Sequence, residues 1–277
     1  MQRIVIIGGG FAGLWSAAGA ARKLAEAGVG ADKVEVVLVN PDAFHGIRVR
    51  FYETDLSRVR VPLDQVLAPI GVRRIEGRVE GVDFQRREID IEFGRFSERL
   101  AYDRLVLAAG SQLCRPQIPG LAEHAASVDT YWDAKRLGER IADLANWSDA
   151  PGAFTAVVIG AGLTGIETAC ELPDRLRACA PPNAQVRVVL ADHSAQLGST
   201  MGDHARPIIL EALAELGVES RPGVEVAAID RDGVILASGE RIDARIVVWT
   251  AGMRASPLTA LFPVERDSFG RLPVDAF

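Results

Sequence analysis

The sequence predicts an α/β protein of two like halves. Each is a parallel sheet with helices and a β-meander. Three observations carry this. A short apolar run, residues 4–7, leads into Gly8-x-Gly10-x-x-Gly13, and the phrase returns as Gly160-x-Gly162-x-x-Gly165 after residues 157–159. Each glycine phrase is followed by helical periodicity and then by a second β-branched run. Behind each of these units lies a stretch of strand-like segments broken by turn residues.

In the first copy, Leu14, Ala17, Ala18, Ala21, Leu24 and Ala25 fall on one helical face, and Gly28 stands where such a helix stops. Residues 34–39 then read as a strand buried on both faces, ending at Asn40. Residues 4–21 share their apolar character with a secretory leader. However, four glycines within six positions suit a turn better than a continuous helix, and the run is short for a bilayer span. In the second copy the helix begins near Leu163 and carries Ile166, Ala169 and Cys170, and Pro173 is expected to kink or shorten it. Residues 186–190 form the returning strand, with Asp192 just beyond. Asn40 follows Gly8 by 32 residues, and Asp192 follows Gly160 by 32.

Strand, glycine turn, helix and strand in this order make a Rossmann-like dinucleotide-binding unit. The first glycine permits the tight turn, the second admits a pyrophosphate close to the backbone, and the third lets helix and strand pack. The helix N-terminus offers free N–H groups to phosphate. Two units of matched length imply two dinucleotide sites. A carboxylate after the second strand bonds a ribose diol and repels a 2′-phosphate, so Asp192 favours NADH over NADPH, whereas Asn40 can bond a ribose without charge.

The remaining segments are read as connections. Residues 72–96, with Glu76-Gly77 and Glu80-Gly81 as turns, suit a small β-meander, as do residues 224–246 with Asp232-Gly233 and Ser238-Gly239. Residues 112–120 and 252–263 read as the two crossings between halves.

Composition narrows the function classes. Across 277 residues, 48% hydrophobic and 25% charged content with a net charge of −6 describe a globular chain with no basic footprint for nucleic acid. Cys114, Cys170 and Cys179 show no zinc or C-x-x-C spacing, and their odd number suits a reducing cytoplasm. Cys170 on an apolar helix face reads as core, and the four scattered histidines, His45 and His193 among them, suggest no metal. Arg48, Arg50, Arg58 and Arg60 form either a solvated loop or a cover over cofactor phosphates.

Two further stretches carry a family resemblance. Tyr102-Asp-Arg-Leu-Val-Leu-Ala-Ala-Gly-Ser111 and Asp243-Ala-Arg-Ile-Val-Val-Trp-Thr-Ala-Gly252 are each a strand leading to a small-residue turn. With Gly165-Ile-Glu167, they make the chain resemble the two-dinucleotide-fold flavoprotein reductases, and among them the type II NADH dehydrogenases. The resemblance implies an FAD-binding domain over residues 1–115, with 256–277 as its return segment, and an NAD(H)-binding domain over 116–255. It implies FAD contacts at Gly8, Gly10, Phe11, Ala12, Gly13, Asn40, Val79, Ala109 and Gly110. NADH contacts are implied at Gly160, Gly162, Thr164, Gly165, Asp192, Ala251 and Gly252, with Glu167 near the reacting rings.

The implied reaction is hydride transfer from NADH to flavin, with electrons passing to a small quinone-like acceptor and no side-chain nucleophile. The alternatives are a soluble reductase serving an electron-transfer protein and a shortened nucleotide-binding protein without activity. In the family a Gly-Asp turn and a C-terminal membrane-facing region follow. The sequence here reaches Phe277 before that turn, so weak FAD retention is expected, with any membrane contact left to the missing region of a cytoplasmic, peripheral protein.

Overall fold

The computed structural model describes residues 1–147, 149–199 and 201–275. The chain divides into two compact units, one of Met1–Ile47, Ser57–Gln112 and Met253–Phe277, the other of Arg48–Leu56 and Leu113–Gly252. Ala276 and Phe277, where the sequence reading places an early chain end, lie outside the described residues.

The first unit opens with β1 (Gln2–Ile7), α1 (Phe11–Glu26) and β2 (Val34–Asn40). Later come β3 (Arg73–Glu76), the meander β4 (Arg78–Asp83), β5 (Glu88–Phe93) and β6 (Phe96–Ala101), and the closing strand β7 (Arg104–Leu107). The sheet order is β3-β2-β1-β7, all parallel. Its residues alternate between two cores. Val5, Ile7, Val37 and Val39 pack with the meander's Val79, Ile89 and Ile91, and Ile6, Val36 and Leu38 pack with Ala17, Leu63 and Leu67. Cover on both faces is why these strands are written as unbroken apolar runs. α1 ends at Glu26, and Gly28 takes the left-handed conformation (φ 66°).

The second unit repeats the plan. It contains α2 (Tyr131–Ala142), β8 (Thr155–Ile159), α3 (Leu163–Cys179), β9 (Arg187–Ala191), α4 (Gly202–Glu215) and β10 (Val218–Arg221). The meander β11 (Val226–Asp230), β12 (Gly233–Leu236) and β13 (Arg241–Asp243) precedes β14 (Ile246–Trp249). The sheet order is β10-β9-β8-β14, again all parallel. Val157, Ile159, Val189 and Trp249 face the meander core, and Val158, Val188, Leu190 and Val248 face the helix core.

Several expectations are corrected. Pro173 does not shorten α3, which runs six residues beyond it to Cys179. Leu172, Pro173 and Leu176 are all buried, and that packing outweighs the one backbone hydrogen bond a proline removes. Residues 73–76 belong to the parallel sheet rather than the meander, since β3 pairs with β2. Glu80-Gly81 is no turn. It lies inside β4, at a register shift between Val79 and Gly81. The turn falls at Asp83, whose carboxylate accepts the N–H groups of Gln85 and Arg86, a local bond that competes with strand continuation. Finally, Arg48–Leu56 groups with the second unit, a placement that hydropathy along the chain does not announce.

Candidate functional site

The first glycine turn is built by close approach. Gly8 has φ 110°, a conformation L side chains rarely adopt, and its N–H donates to the Val39 carbonyl at 2.8 Å. A Cβ on Gly13 would overlap the Gly8 carbonyl oxygen, so α1 can seat on the turn only without one. The Gly9 N–H donates to Asn40 Oδ1 at 2.8 Å, and Asn40 Nδ2 donates to the Asp42 carbonyl at 2.6 Å. Gly10 caps α1 without a side chain, and a Cβ there would meet nothing within 4 Å. The first helical bond runs from Leu14 N–H to Gly10 at 2.9 Å, so the amides of Phe11, Ala12 and Gly13 end the helix without helical acceptors. No acidic side chain stands in this first turn to compete for them. Gly8, Asn40, Val79 and Ala109 line one cavity of 300 Å³ with Gly77 and Ser256. Gly110 follows, its carbonyl accepting the Ser256 N–H at 3.1 Å.

The second turn repeats the geometry. Gly160 has φ 107°, and its N–H donates to Ala191 at 2.8 Å; a Cβ there would lie 2.8 Å from Ala251 Cα. Gly165 packs against the Gly160 carbonyl as Gly13 does against Gly8. Gly162 caps α3, again open and without an acid in the first turn. Ala161 N–H donates to Asp192 Oδ2 at 2.5 Å, and Ser194 N–H donates to Oδ1 at 2.7 Å. Burial pushes the Asp192 carboxyl up, but these donors and nearby His193 more than offset it, and the group titrates below the usual carboxylate range. Thr164 is exposed at the start of α3, and Ala251 and Gly252 follow β14 after Thr250.

Both turns therefore fit the diphosphate of a dinucleotide: helix-end amides without an acceptor among the described residues, no side chain at the open glycine, and no carboxylate at the helix start. Glu167, half-buried on α3, titrates above the usual range because burial and then the charge of Glu53 disfavour its anion. Glu53 sits on Arg48–Leu56, which α3 holds through Glu171. That carboxylate accepts from Thr54 N–H at 3.0 Å and Thr54 Oγ1 at 2.6 Å. Three of the four arginines singled out in the sequence are engaged in ion pairs: Arg48 with Asp129, Arg50 with Glu53 at 2.5 Å, and Arg60 with Asp42 at 2.7 Å.

Sequence reasoning missed three contributors. Buried His45 lies 2.9 Å from the Gly9 carbonyl through Nδ1, and Thr250 Oγ1 bonds the Ile159 and Gly160 carbonyls at 3.0 Å. The third is the Thr54–Glu171 clamp. Only Thr250 had a signal, its place in the Trp249-Thr-Ala-Gly252 turn. Cys114, Cys170 and Cys179 are free. Among the described residues, no helix is long and apolar enough to cross a membrane, and no group of three or more His, Cys, Asp or Glu could hold a metal.

Known proteins share this plan. A family model described as pyridine nucleotide-disulphide oxidoreductase matches residues 2–277. An NADH dehydrogenase-like protein of Mycobacterium tuberculosis is 52% identical over 279 residues, covering 100% of this chain and 69% of the relative. A type II NADH:quinone oxidoreductase of Staphylococcus saprophyticus is 23% identical over 274 residues, covering 93% of this chain and 66% of that protein. The structure of NDH2 from Plasmodium falciparum in complex with NADH aligns with a TM-score of 0.79 at 16% identity, over 97% of this chain and 58% of that one. The chain thus spans about two thirds of the curated relatives and less of the solved structure. With two glycine turns of one geometry on two sheets of one topology, and a family match along almost its whole length, this chain belongs to the pyridine nucleotide-disulphide oxidoreductase family.

Proposed function

We propose that the chain holds FAD on the first unit and NADH on the second, and passes a hydride from NADH to the flavin and electrons onward to a quinone-like acceptor. The observation that carries this reading is the duplication of a complete diphosphate turn in one chain, with a carboxylate, Asp192, bonded to the second turn only. The acceptor class follows from the names of the quinone-reducing relatives.

FAD, when bound, supplies the two-electron acceptor chemistry. The protein's own residues bind and orient. The amides of residues 11–13 and 163–165 receive the two diphosphates, and Gly10 and Gly162 leave room for close approach. Asp192, ionised at neutral pH, keeps capacity for a ribose diol and repels a 2′-phosphate. To Glu167, whose raised pKa keeps a proton on its carboxyl to higher pH than an exposed glutamate would, we assign the role of proton carrier for a reduced acceptor.

The test is NADH-driven reduction of a dye and of a soluble quinone by the purified chain with added FAD. Turnover that requires FAD and prefers NADH to NADPH is the expected result. No turnover with either nicotinamide nucleotide at saturating FAD would overturn the reading.

A further inference from the structure

The two turns differ in one respect that their shared motif hides. In the first unit both backbone groups of Gly9 are held by side chains. Asn40 Oδ1 accepts its N–H at 2.8 Å, and His45 Nδ1 lies 2.9 Å from its carbonyl oxygen. A carbonyl oxygen has no proton to give, so His45 is the donor and its Nδ1 carries hydrogen. The imidazole is 5% exposed. It is wedged edge-on against Phe11, the first residue of α1, with ring centroids 4.7 Å apart.

The second turn has only half of this clamp. Asp192 accepts the Ala161 N–H. The residue five beyond Asp192, as His45 is five beyond Asn40, is Leu197. Leu197 is buried in the helix-side core and has no donor. Among the described residues, nothing donates to the Ala161 carbonyl.

We propose that His45 is a positioning residue that fixes the Gly9–Gly10 peptide for the first nucleotide, a hold that the second turn, clamped on one side only, does not have. The physical basis is the geometry of a trans peptide, whose C=O and N–H point in opposite directions. With the Gly9 carbonyl drawn toward His45, the Gly10 N–H is turned the other way, toward the open side at Gly10 where a Cβ would meet nothing. An amide fixed before binding need not be ordered by the ligand, so the entropic cost of binding falls. At Ala161–Gly162 no described side chain holds the carbonyl end of the same peptide, and the turn is fixed through Asp192 alone.

The inference rests on the assignment of FAD to the first unit and is tested by binding, apart from turnover. FAD and NADH affinities would be measured by fluorescence titration for the wild type, His45→Phe and His45→Asn, with the thermal midpoint of each nucleotide-free chain. Phenylalanine keeps the ring against Phe11 and removes the donor; asparagine keeps an N–H donor near the place of Nδ1. Loss of one buried hydrogen bond predicts FAD affinity weakened by up to roughly tenfold in His45→Phe, largely recovered in His45→Asn, with NADH affinity unchanged in both. A slowly exchanging Nδ1 proton on His45 in the wild type supports the clamp even if His45→Phe does not fold. Equal FAD affinity in wild type and His45→Phe, parallel loss of both nucleotides, or an Nδ1 without a proton would overturn the inference. Wild-type chain that takes up no FAD would overturn the site assignment itself, and is told apart because it needs no variant.

Discussion

The Ala161 amide donates to Asp192 Oδ2 at 2.5 Å across 31 residues of chain, and Gly9 bonds Asn40 across the same interval. One backbone device is thus used twice, once with a charge and once without. Asp192 binds the turn and, in the proposed reading, also reads the ribose. Asp192→Ala should weaken NADH binding by about 1–3 kcal/mol, the scale of a lost charged hydrogen bond, and narrow the preference over NADPH. Titration with both nucleotides checks it, and a wild-type chain that prefers NADPH would contradict the assignment.

Gly10 and Gly162 are expected to fail for ligands but not for folding. Neither would place a Cβ near any protein atom. Gly10→Val should lose FAD and keep NADH, and Gly162→Val the reverse, each with a thermal midpoint close to wild type. Gly13→Ala is the contrasting case. Its Cβ would overlap the Gly8 carbonyl, so stability should fall on the order of 3 kcal/mol, the upper range for overpacking. Denaturant midpoints separate the two classes.

Glu167 supplies a pH signature. Its folded-state pKa is raised above 4.5 by burial and by Glu53. As pH rises past the unfolded value, the unfolded chain gains from ionising this group while the folded chain does not, so this contribution to stability declines until the raised pKa is passed and is constant above it. Glu167→Gln should therefore match wild type near pH 4 and gain on it toward neutrality. Glu53→Gln should narrow the pH window over which that difference grows. Denaturation at a series of pH values reads both effects, and a gap that does not change with pH would refute the environment described for Glu167.

Phe51 tests the grouping of Arg48–Leu56 with the second unit. Its ring is buried and sits 6.3 Å from Tyr131, centroid to centroid. Phe51→Ala should cost about 3–5 kcal/mol, as buried aromatic truncations do. Hydrogen exchange should show lost protection in α2 and α3 rather than in β1 and β2. Loss confined to β1 and β2 would place the segment with the first unit.

Much of this fold was legible because its strands are covered on both faces. That cover writes residues 4–7 and 157–159 as apolar runs, and the close approach at Gly13 and Gly165 writes the glycines. Asn40 and Asp192 were singled out by their place at the ends of the second strands, 32 residues after Gly8 and Gly160. Pro173 misled because local propensity says nothing of the core that Leu172 and Leu176 bury around it. Glu80-Gly81 misled because a bulge and a turn share their residue types. His45 was invisible for a different reason: its partner is a backbone carbonyl 36 residues away, and no side-chain pattern marks a carbonyl that needs a donor.

Two different nucleotides at two separate turns of one chain, as proposed, can be counted. Equilibrium titration of the purified chain with FAD, then with NADH on the FAD-saturated protein, tests the proposal most directly. The expected result is one FAD and one NADH per chain, with NADH leaving bound FAD in place. NADH that displaces FAD, or saturation at a single nucleotide of either kind, would contradict it.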